Sequence, residues 1–115
     1  MTDLEWNQDN SITAEEVVVL LRRVIRGELR IVAVGASWDD IYAGNVRVRI
    51  DDYKLVIFND CNQLDYVDSI TAADGRHGDS DHWFLSNTEP VDLMTDEEGT
   101  QLERLLMEAP VVAED

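Results

Sequence analysis

One cysteine and two histidines in the middle of the chain are the residues best suited to nucleophilic chemistry. Cys61 follows Asp60, and His77 and His82 come downstream. A cysteine nucleophile needs a base within hydrogen-bonding reach and a third group that orients the base, and these residue types are all present. No nucleophile elbow, oxyanion loop or protease signature accompanies them. We therefore interpret Cys61 as a small buried thiol at a strand end, and we expect no enzymatic activity.

The segment from His77 to His82 is the best candidate for binding a metal. His77, Asp79, Asp81 and His82 would offer imidazole and carboxylate ligands to zinc or another divalent ion if the segment folded back on itself. The spacing matches neither an EF-hand loop nor a zinc motif. A solvated acidic loop explains the same residues, so we predict no metal and no cofactor. Metal binding or hydrolysis by this segment is the alternative hypothesis.

Acidic residues are interspersed with Tyr66 and Trp83 between residues 60 and 83. The candidate partner-binding residues are Asp60, Asp65, Tyr66, Asp68, Asp79, Asp81 and Trp83. Carboxylates pair with arginine and lysine, and large aromatic side chains anchor many protein interfaces. We predict that this set binds a basic protein surface. The simpler interpretation places Tyr66 in the core and uses the aspartates in turns and at a strand edge.

The net charge narrows the class of partner. Twenty-five acids against nine lysines and arginines leave a formal charge of −16. Residues 55–115 carry fifteen of the acids and only two of the bases. Such a field repels nucleic acid and anionic membranes and attracts cationic surfaces, so we expect neither direct nucleic-acid binding nor membrane binding. The same charge would also fit a housekeeping module whose acidity serves only solubility.

Length and composition predict one domain with its own core. A chain of 115 residues is near the commonest domain size, and a lone cysteine excludes an intrachain disulfide. The longest apolar run, at 17–21, is too short to cross a bilayer, and the first residues do not resemble a signal peptide. We expect a cytoplasmic protein with a partly ordered acidic arm over 1–11, an α+β domain over 12–109 and a frayed acidic tail over 110–115.

Two amphipathic helices are predicted near the ends of that domain. Thr13 with Glu16, and Thr95 with Glu98, have the spacing of capping boxes, in which each residue of the pair bonds the backbone N–H of the other. Each helix has an apolar stripe on one side, and the second helix ends before Pro110. Both stripes must therefore face a shared core.

The chain between the helices has the pattern of an antiparallel β-meander. A two-residue loop at Asp51-Asp52 would set Val48 opposite Leu55. The third strand, over 63–70, would place Leu64 and Tyr66 on one side. The predicted fold is α+β, with a three- or four-stranded antiparallel sheet and both helices on one face. A homodimer through the other sheet face is left open.

Other segments are predicted less sharply. Residues 29–34 form a first strand, and residues 37–44 are either a short helical turn or an irregular lead into the next strand. Residues 71–82 form a loop, and residues 83–85 return the chain to the core. The predicted shared core is Val17, Leu21, Val24, Val48, Ile50, Leu55, Ile57, Leu102, Leu105 and Leu106.

Three stretches between the capped helices carry a family resemblance. They read IYAGNV, LVIFNDCNQLDYVDS and DGR. The chain resembles a family of small bacterial proteins known only as a domain of unknown function. The resemblance covers residues 13–106 and is most specific at residues 58–61 and 64–66. It implies a bacterial or phage origin and brings no activity, ligand or catalytic residue.

Stoichiometric binding is the function that these observations favour. We predict a small acidic inhibitor that covers a cationic, nucleic-acid-binding surface of a partner protein. Anti-defence proteins, such as anti-CRISPR proteins, and toxin-immunity proteins act in this way. Acidic groups would speed the encounter with such a partner, and aromatic anchors would slow its release.

Overall fold

The computed structural model describes residues 11–114 and contains one mixed β-sheet with helices packed on it. The helices are α1 (Ala14–Ile25), α2 (Trp38–Ile41), α3 (Ser80–Leu85) and α4 (Asp96–Glu108), with a 3-10 helix at Pro90–Leu93. The strands are β1 (Ile31–Val34), β2 (Ala43–Ile50), β3 (Tyr53–Asp60), β4 (Gln63–Thr71), β5 (His77–Asp79) and β6 (Val111–Val112). Their order in the sheet is β5-β4-β3-β2-β1-β6. The predicted arm over 1–11 lies outside the described residues except for Ser11.

The α+β fold is confirmed, and the sheet is wider than predicted. Strands β1 to β5 pair antiparallel, whereas β6 runs parallel to β1. The two additional strands, β5 and β6, contain three and two residues. Strands of this length are too short to show a period of two, so sequence patterning does not reveal them. None of the helices in residues 11–114 has the length and apolar character needed to cross a bilayer.

Both capping boxes are present and start the two long helices. The Thr13 hydroxyl accepts from the Glu16 backbone N–H at 3.1 Å, and the Glu16 carboxylate accepts from the Thr13 backbone N–H, also at 3.1 Å. The same reciprocal pair joins Thr95 and Glu98, at 3.1 and 2.9 Å. Glu98 also pairs with Arg22 of α1 at 2.8 Å, which ties the two helices together.

The hairpin between β2 and β3 has the predicted register. Val48 lies opposite Leu55, and the strands are joined by the two-residue turn at Asp51-Asp52. Asp51 has a φ of 54°, the left-handed conformation that such a turn requires. This register sends one alternating set of apolar residues to the face that the helices cover: Val46, Val48 and Ile50 of β2, and Leu55 and Ile57 of β3.

The core formed by that face and the two helices is the predicted one, with one change. Nine of the ten predicted residues belong to the buried cluster, and Leu105 packs against it while half-buried. Trp38 and Trp83 join the core, at 0% and 2% exposure. Trp38 belongs to α2, whose N-cap Ser37 accepts from the Asp40 backbone N–H at 3.0 Å. Residues 37–44 therefore contain a helical turn, the first of the two predicted possibilities.

Strand β4 departs from its predicted alternation. Its pairing with β3 skips Asp65 and Asp68, which produces two β-bulges. Leu64 therefore pairs with buried Asn59, and Tyr66 pairs with Phe58 on the opposite face. The prediction that Leu64 and Tyr66 share a side is wrong, because each inserted residue shifts the phase of the strand by one position.

Two predicted irregular segments are also corrected. The loop predicted over 71–82 contains β5 and the start of α3, whose N-cap is Asp79. The tail predicted to fray contains β6, where the Gly35 backbone N–H donates to the Val112 carbonyl at 2.8 Å. Long-range pairing to β4 and to β1 orders these segments, and neither partner is adjacent in sequence.

Candidate functional site

A cleft of about 400 Å³ opens beside β4, between the sheet edge and α3. Its charged and aromatic lining residues are Asp65, Tyr66, Asp81, Phe84, Glu89 and Asp92. No lysine, arginine or histidine of the described residues lines it. The cleft therefore combines four carboxyl groups with two aromatic rings.

The edge of β4 forms one wall of this cleft because β5 covers only part of it. Strand β5 pairs with residues 69–71, which leaves the earlier part of β4 without a strand neighbour on that side. Carboxylates take the place of the missing strand. Glu89 accepts from the Val67 backbone N–H at 3.0 Å, and Glu103 accepts from the Leu64 backbone N–H at 2.8 Å. These bonds satisfy an edge that would otherwise be open to pairing with another chain.

Glu89 is the most perturbed acid of the cleft. Burial raises its pKa, the backbone N–H groups of Val67 and Val91 lower it, and the nearby charges of Asp92 and Asp65 raise it. The net effect raises the pKa of Glu89 to about 7. A carboxyl group with such a pKa changes its charge near neutral pH, and an incoming cation would favour its ionised form.

The two aromatic side chains of the cleft differ in how they are packed. Tyr66 stacks on Phe58 with ring centroids 5.2 Å apart and an interplanar angle of 12°, which holds the tyrosine ring in place. Phe84 lies on α3 and is 78% exposed, as is its neighbour Leu85 at 83%. The prediction that residues 83–85 all return to the core is therefore wrong for Phe84 and Leu85. In the six-residue helix α3, only Trp83 of these three faces inward.

Three of the seven predicted binding residues meet in the cleft. Asp65 and Tyr66 come from the first bulge of β4, and Asp81 comes from the first turn of α3. Asp79 lies nearby but caps α3, accepting from the His82 backbone N–H at 2.9 Å. The fold brings these three residues together because β4 and α3 are neighbours, and their role in binding stays a prediction.

The other three predicted residues lie elsewhere. Trp83 is a core residue whose indole Nε1 donates to the Ile12 carbonyl at 3.0 Å, so its proposed role as an exposed anchor is corrected. Asp60 is exposed at the end of β3, and Asp68 is half-buried at the second bulge. Neither of these two aspartates lines the cleft.

Three lining residues of the cleft, Phe84, Glu89 and Asp92, are not among the binding residues named from the sequence. The apolar run 83–85 suggested burial for Phe84, since a helix of six residues is too short to show an amphipathic period. Glu89 and Asp92 flank Pro90, in a segment that the sequence marks only as a break. Glu89 caps the 3-10 helix there, accepting from the Val91 backbone N–H at 3.2 Å. An acid just before a proline that starts a helix was the available signal.

The structure separates Cys61 from His77. Cys61 is exposed in the two-residue turn between β3 and β4, so the prediction of a buried thiol is wrong. His77 pairs with Thr71 at the opposite end of β4, about 25 Å away at the usual rise of a strand. The His77 ring instead contacts its neighbours, with Nδ1 3.0 Å from the Thr71 hydroxyl and Nε2 3.5 Å from an Asp79 oxygen.

The four predicted metal-ligand candidates do not converge. Across residues 11–114, no three histidine, cysteine, aspartate or glutamate side chains are arranged to hold a metal ion. His77 and Asp79 lie in β5, while Asp81 and His82 belong to the helix that follows. Because Asp79 caps that helix, the segment does not fold back on itself as a metal loop would.

Comparison with known proteins identifies the family to which this chain belongs. The family described as "Domain of unknown function (DUF7693)" matches residues 11–108, so the chain belongs to it. This confirms the resemblance seen at residues 13–106. No curated protein and no solved structure matches the chain.

Proposed function

We propose that this member of the family binds a basic surface of a partner protein through the cleft beside β4. One observation carries the proposal: four carboxyl groups and two aromatic rings line a single cleft that contains no basic side chain of the described residues. Arginine and lysine are the protein groups that complement such a lining.

A guanidinium or ammonium group of the partner would contact both kinds of lining residue. Asp65, Asp81 and Asp92 are exposed at the rim, where their carboxylates would receive the hydrogen bonds of an arginine. Phe84 offers an accessible ring face, and a cation over an aromatic face gains about 0.5–2 kcal/mol. Arginine suits the cleft better than lysine does, since its planar group both stacks on rings and pairs with carboxylates.

The charge of the whole chain supports the same partner class. A net charge of −16 draws a basic surface toward the protein and keeps nucleic acid away. Within this proposal the partner's surface is one that itself binds nucleic acid, and the protein acts as a stoichiometric inhibitor of that surface. Such inhibition of a nucleic-acid-binding surface would suit an anti-defence protein or a toxin-immunity protein.

The first test uses a defined probe. A short peptide with one arginine is titrated into the isotopically labelled protein, and the same peptide with neutral citrulline in place of arginine is the control. We expect amide shifts concentrated around Asp65, Asp81 and Phe84 with the arginine peptide, and weaker shifts with citrulline. Shifts spread evenly over the acidic surface, or equal shifts with both peptides, would overturn the proposal.

The second test uses matched charge reversals and the natural partner. Asp65→Lys with Asp81→Lys alters the cleft, whereas Asp39→Lys with Asp52→Lys makes the same charge change at exposed sites outside it. Basic proteins retained from a bacterial lysate at low salt are identified, purified and titrated against each variant. The cleft variant should lose binding and the control should keep most of it. Equal behaviour of the two variants would mean that net charge alone, and therefore solubility, accounts for the acids.

A further inference from the structure

Glu89 makes its structural hydrogen bonds with only one of its two carboxylate oxygens. Oε1 accepts from the Val67 backbone N–H at 3.0 Å and from the Val91 backbone N–H at 3.2 Å. Oε2 has no hydrogen-bond donor among residues 11–114, and it is not one of the buried oxygens that lack a partner. Solvent therefore reaches Oε2. Since Glu89 lines the cleft, Oε2 is the oxygen left to accept from a ligand there.

The two bonds to Oε1 hold this carboxylate in a fixed place. Val67 belongs to β4 and Val91 to the 3-10 helix, so the side chain is tied to two separate elements. The next residue, Pro90, is buried and starts that helix, which fixes the backbone as well. A ligand that bonds to Oε2 would therefore not have to order the side chain first, and it would avoid that entropic cost.

The charged groups that face Glu89 are all acidic. Asp65 of β4, Asp81 of α3 and Asp92 of the 3-10 helix line the same cleft and are exposed. Helix α1 also packs against the 3-10 helix, and α4 packs against β4, but neither contributes a residue to the lining. A half-buried carboxylate among other carboxylates is disfavoured unless a proton or another cation neutralises it.

In the free protein a proton can fill this role. Burial raises the pKa of Glu89, and the charges of Asp92 and Asp65 raise it further, so that it reaches about 7 although two backbone N–H groups lower it. An arginine beside Oε2 would supply a positive charge from outside. That charge would lower the pKa of Glu89 again, and the proton would pass to the solvent.

We propose that Oε2 of Glu89 is the acceptor for the partner's arginine at the floor of the cleft, and that the bound arginine takes the place of the Glu89 proton. The inference rests on the proposed function and adds to it a named acceptor and a coupling between binding and pH. Arginine carries five N–H donors and keeps its charge, so it can donate to Oε2 while other donors remain for the rim carboxylates of Asp65 and Asp92.

Calorimetry with a defined probe measures the displaced proton. The probe is a short peptide with one arginine, blocked termini and no other titratable group. Titrations at pH 7 in phosphate and in HEPES, which differ in ionisation enthalpy, should show about 0.5 proton released per peptide bound, since about half of the Glu89 side chains are then protonated. The affinity should rise about tenfold between pH 6 and pH 8, as the proton ceases to compete.

Two single substitutions separate Glu89 from the general acidity of the cleft. Glu89→Gln and Asp81→Asn each remove one carboxylate that lines it, and both should weaken binding. Only Glu89→Gln should abolish the proton release and the pH dependence, because its amide does not ionise. Asp81 is not among the groups that shift the pKa of Glu89, so Asp81→Asn should still release about half a proton at pH 7.

A measurement on the natural chain removes any dependence on how the variants fold. The carboxyl ¹³C shift of Glu89 reports its ionisation directly, and at pH 6 the peptide should move this shift toward the value of the ionised form. The citrulline peptide should leave the shift where it is.

The outcomes distinguish this inference from the proposed function. Peptide binding at the cleft without proton release would overturn the inference and leave the proposed function standing. Equal proton release in Glu89→Gln would also overturn it, because the protons would then come from other groups such as His77 or His82. Absence of arginine-dependent binding would contradict the proposed function itself, and the inference with it.

Discussion

The carboxylate of Glu89 accepts a hydrogen bond from the backbone N–H of Val67 at 3.0 Å. This bond joins the edge of β4 to the floor of the cleft, since Glu89 also lines the cleft and caps the 3-10 helix that follows. One side chain therefore closes a sheet edge and contributes to a candidate binding site. Because its pKa lies near 7, both roles depend on pH.

The stability of the protein should fall as the pH rises through neutrality. Glu89 binds its proton more tightly when folded, with a pKa of about 7 against 4.5 for an unperturbed glutamate. Its stabilising contribution is therefore complete below about pH 4.5 and is lost as the pH rises through 7. We expect a loss of about 1–3 kcal/mol in the free energy of unfolding, reduced by solvent at this half-buried site. Urea unfolding at pH 5 and pH 8 measures it.

Glu89→Gln is the control for that effect. Its amide oxygen can still accept from Val67, but it cannot ionise, so the fall between pH 5 and pH 8 should flatten. The variant should also be at least as stable as the natural chain at pH 8. An unchanged pH profile in this variant would assign the dependence to other groups.

Adjacent residues on α3 should respond to substitution in opposite ways. Phe84→Ala removes a side chain that is 78% exposed and should change stability by less than about 0.5 kcal/mol. Trp83→Ala removes a buried ring and its bond to Ile12, at a cost of about 3–5 kcal/mol. The arginine peptide should bind Phe84→Ala more weakly than the natural protein. Urea unfolding and peptide titration separate these outcomes, and a destabilised Phe84→Ala variant would contradict the assignment of Phe84 to the cleft.

The inner and outer leucines of α4 form another test. Leu102 has 0% exposure, so Leu102→Ala should cost about 2–5 kcal/mol. Leu105 is only half-buried at the rim of the core, and Leu105→Ala should cost clearly less. Thermal and urea unfolding of the two variants decide the ranking. Equal losses would mean that Leu105 is as deeply packed as the sequence alone predicts.

Two glycines should tolerate alanine very differently. A Cβ at Gly78 in β5 would overlap the carbonyl oxygen of Ile12 and lie 2.9 Å from the Trp83 ring, so Gly78→Ala should cost about 1–3 kcal/mol. A Cβ at Gly99 in α4 meets nothing within 4 Å, and Gly99→Ala should stabilise the helix by about 0.5–1 kcal/mol. Differential scanning calorimetry compares the pair. A neutral Gly78→Ala would show that β5 and the chain at Ile12 pack less closely than described.

Local chemistry in the sequence was sufficient for the two long helices, α1 and α4, and for the central hairpin. The threonine–glutamate spacings predicted both helix starts, because capping bonds are made within four residues. The parity of the apolar residues around Asp51-Asp52 predicted the register of β2 and β3, because a slip by one residue would expose the core side chains. The family resemblance also rested on contiguous residues.

Only the tertiary structure decided the candidate site. The bulges at Asp65 and Asp68 rotate β4 so that Tyr66 leaves the side of Leu64, and this arises from pairing with β3. Phe84 faces outward because Trp83 takes the core position on the short helix α3. The cleft itself exists because β5 ends early and Glu89 arrives from a later segment to close the edge of β4. Contacts between residues distant in sequence leave no local pattern, so composition indicated an acidic binding surface while the fold alone decided where its carboxylates and rings meet.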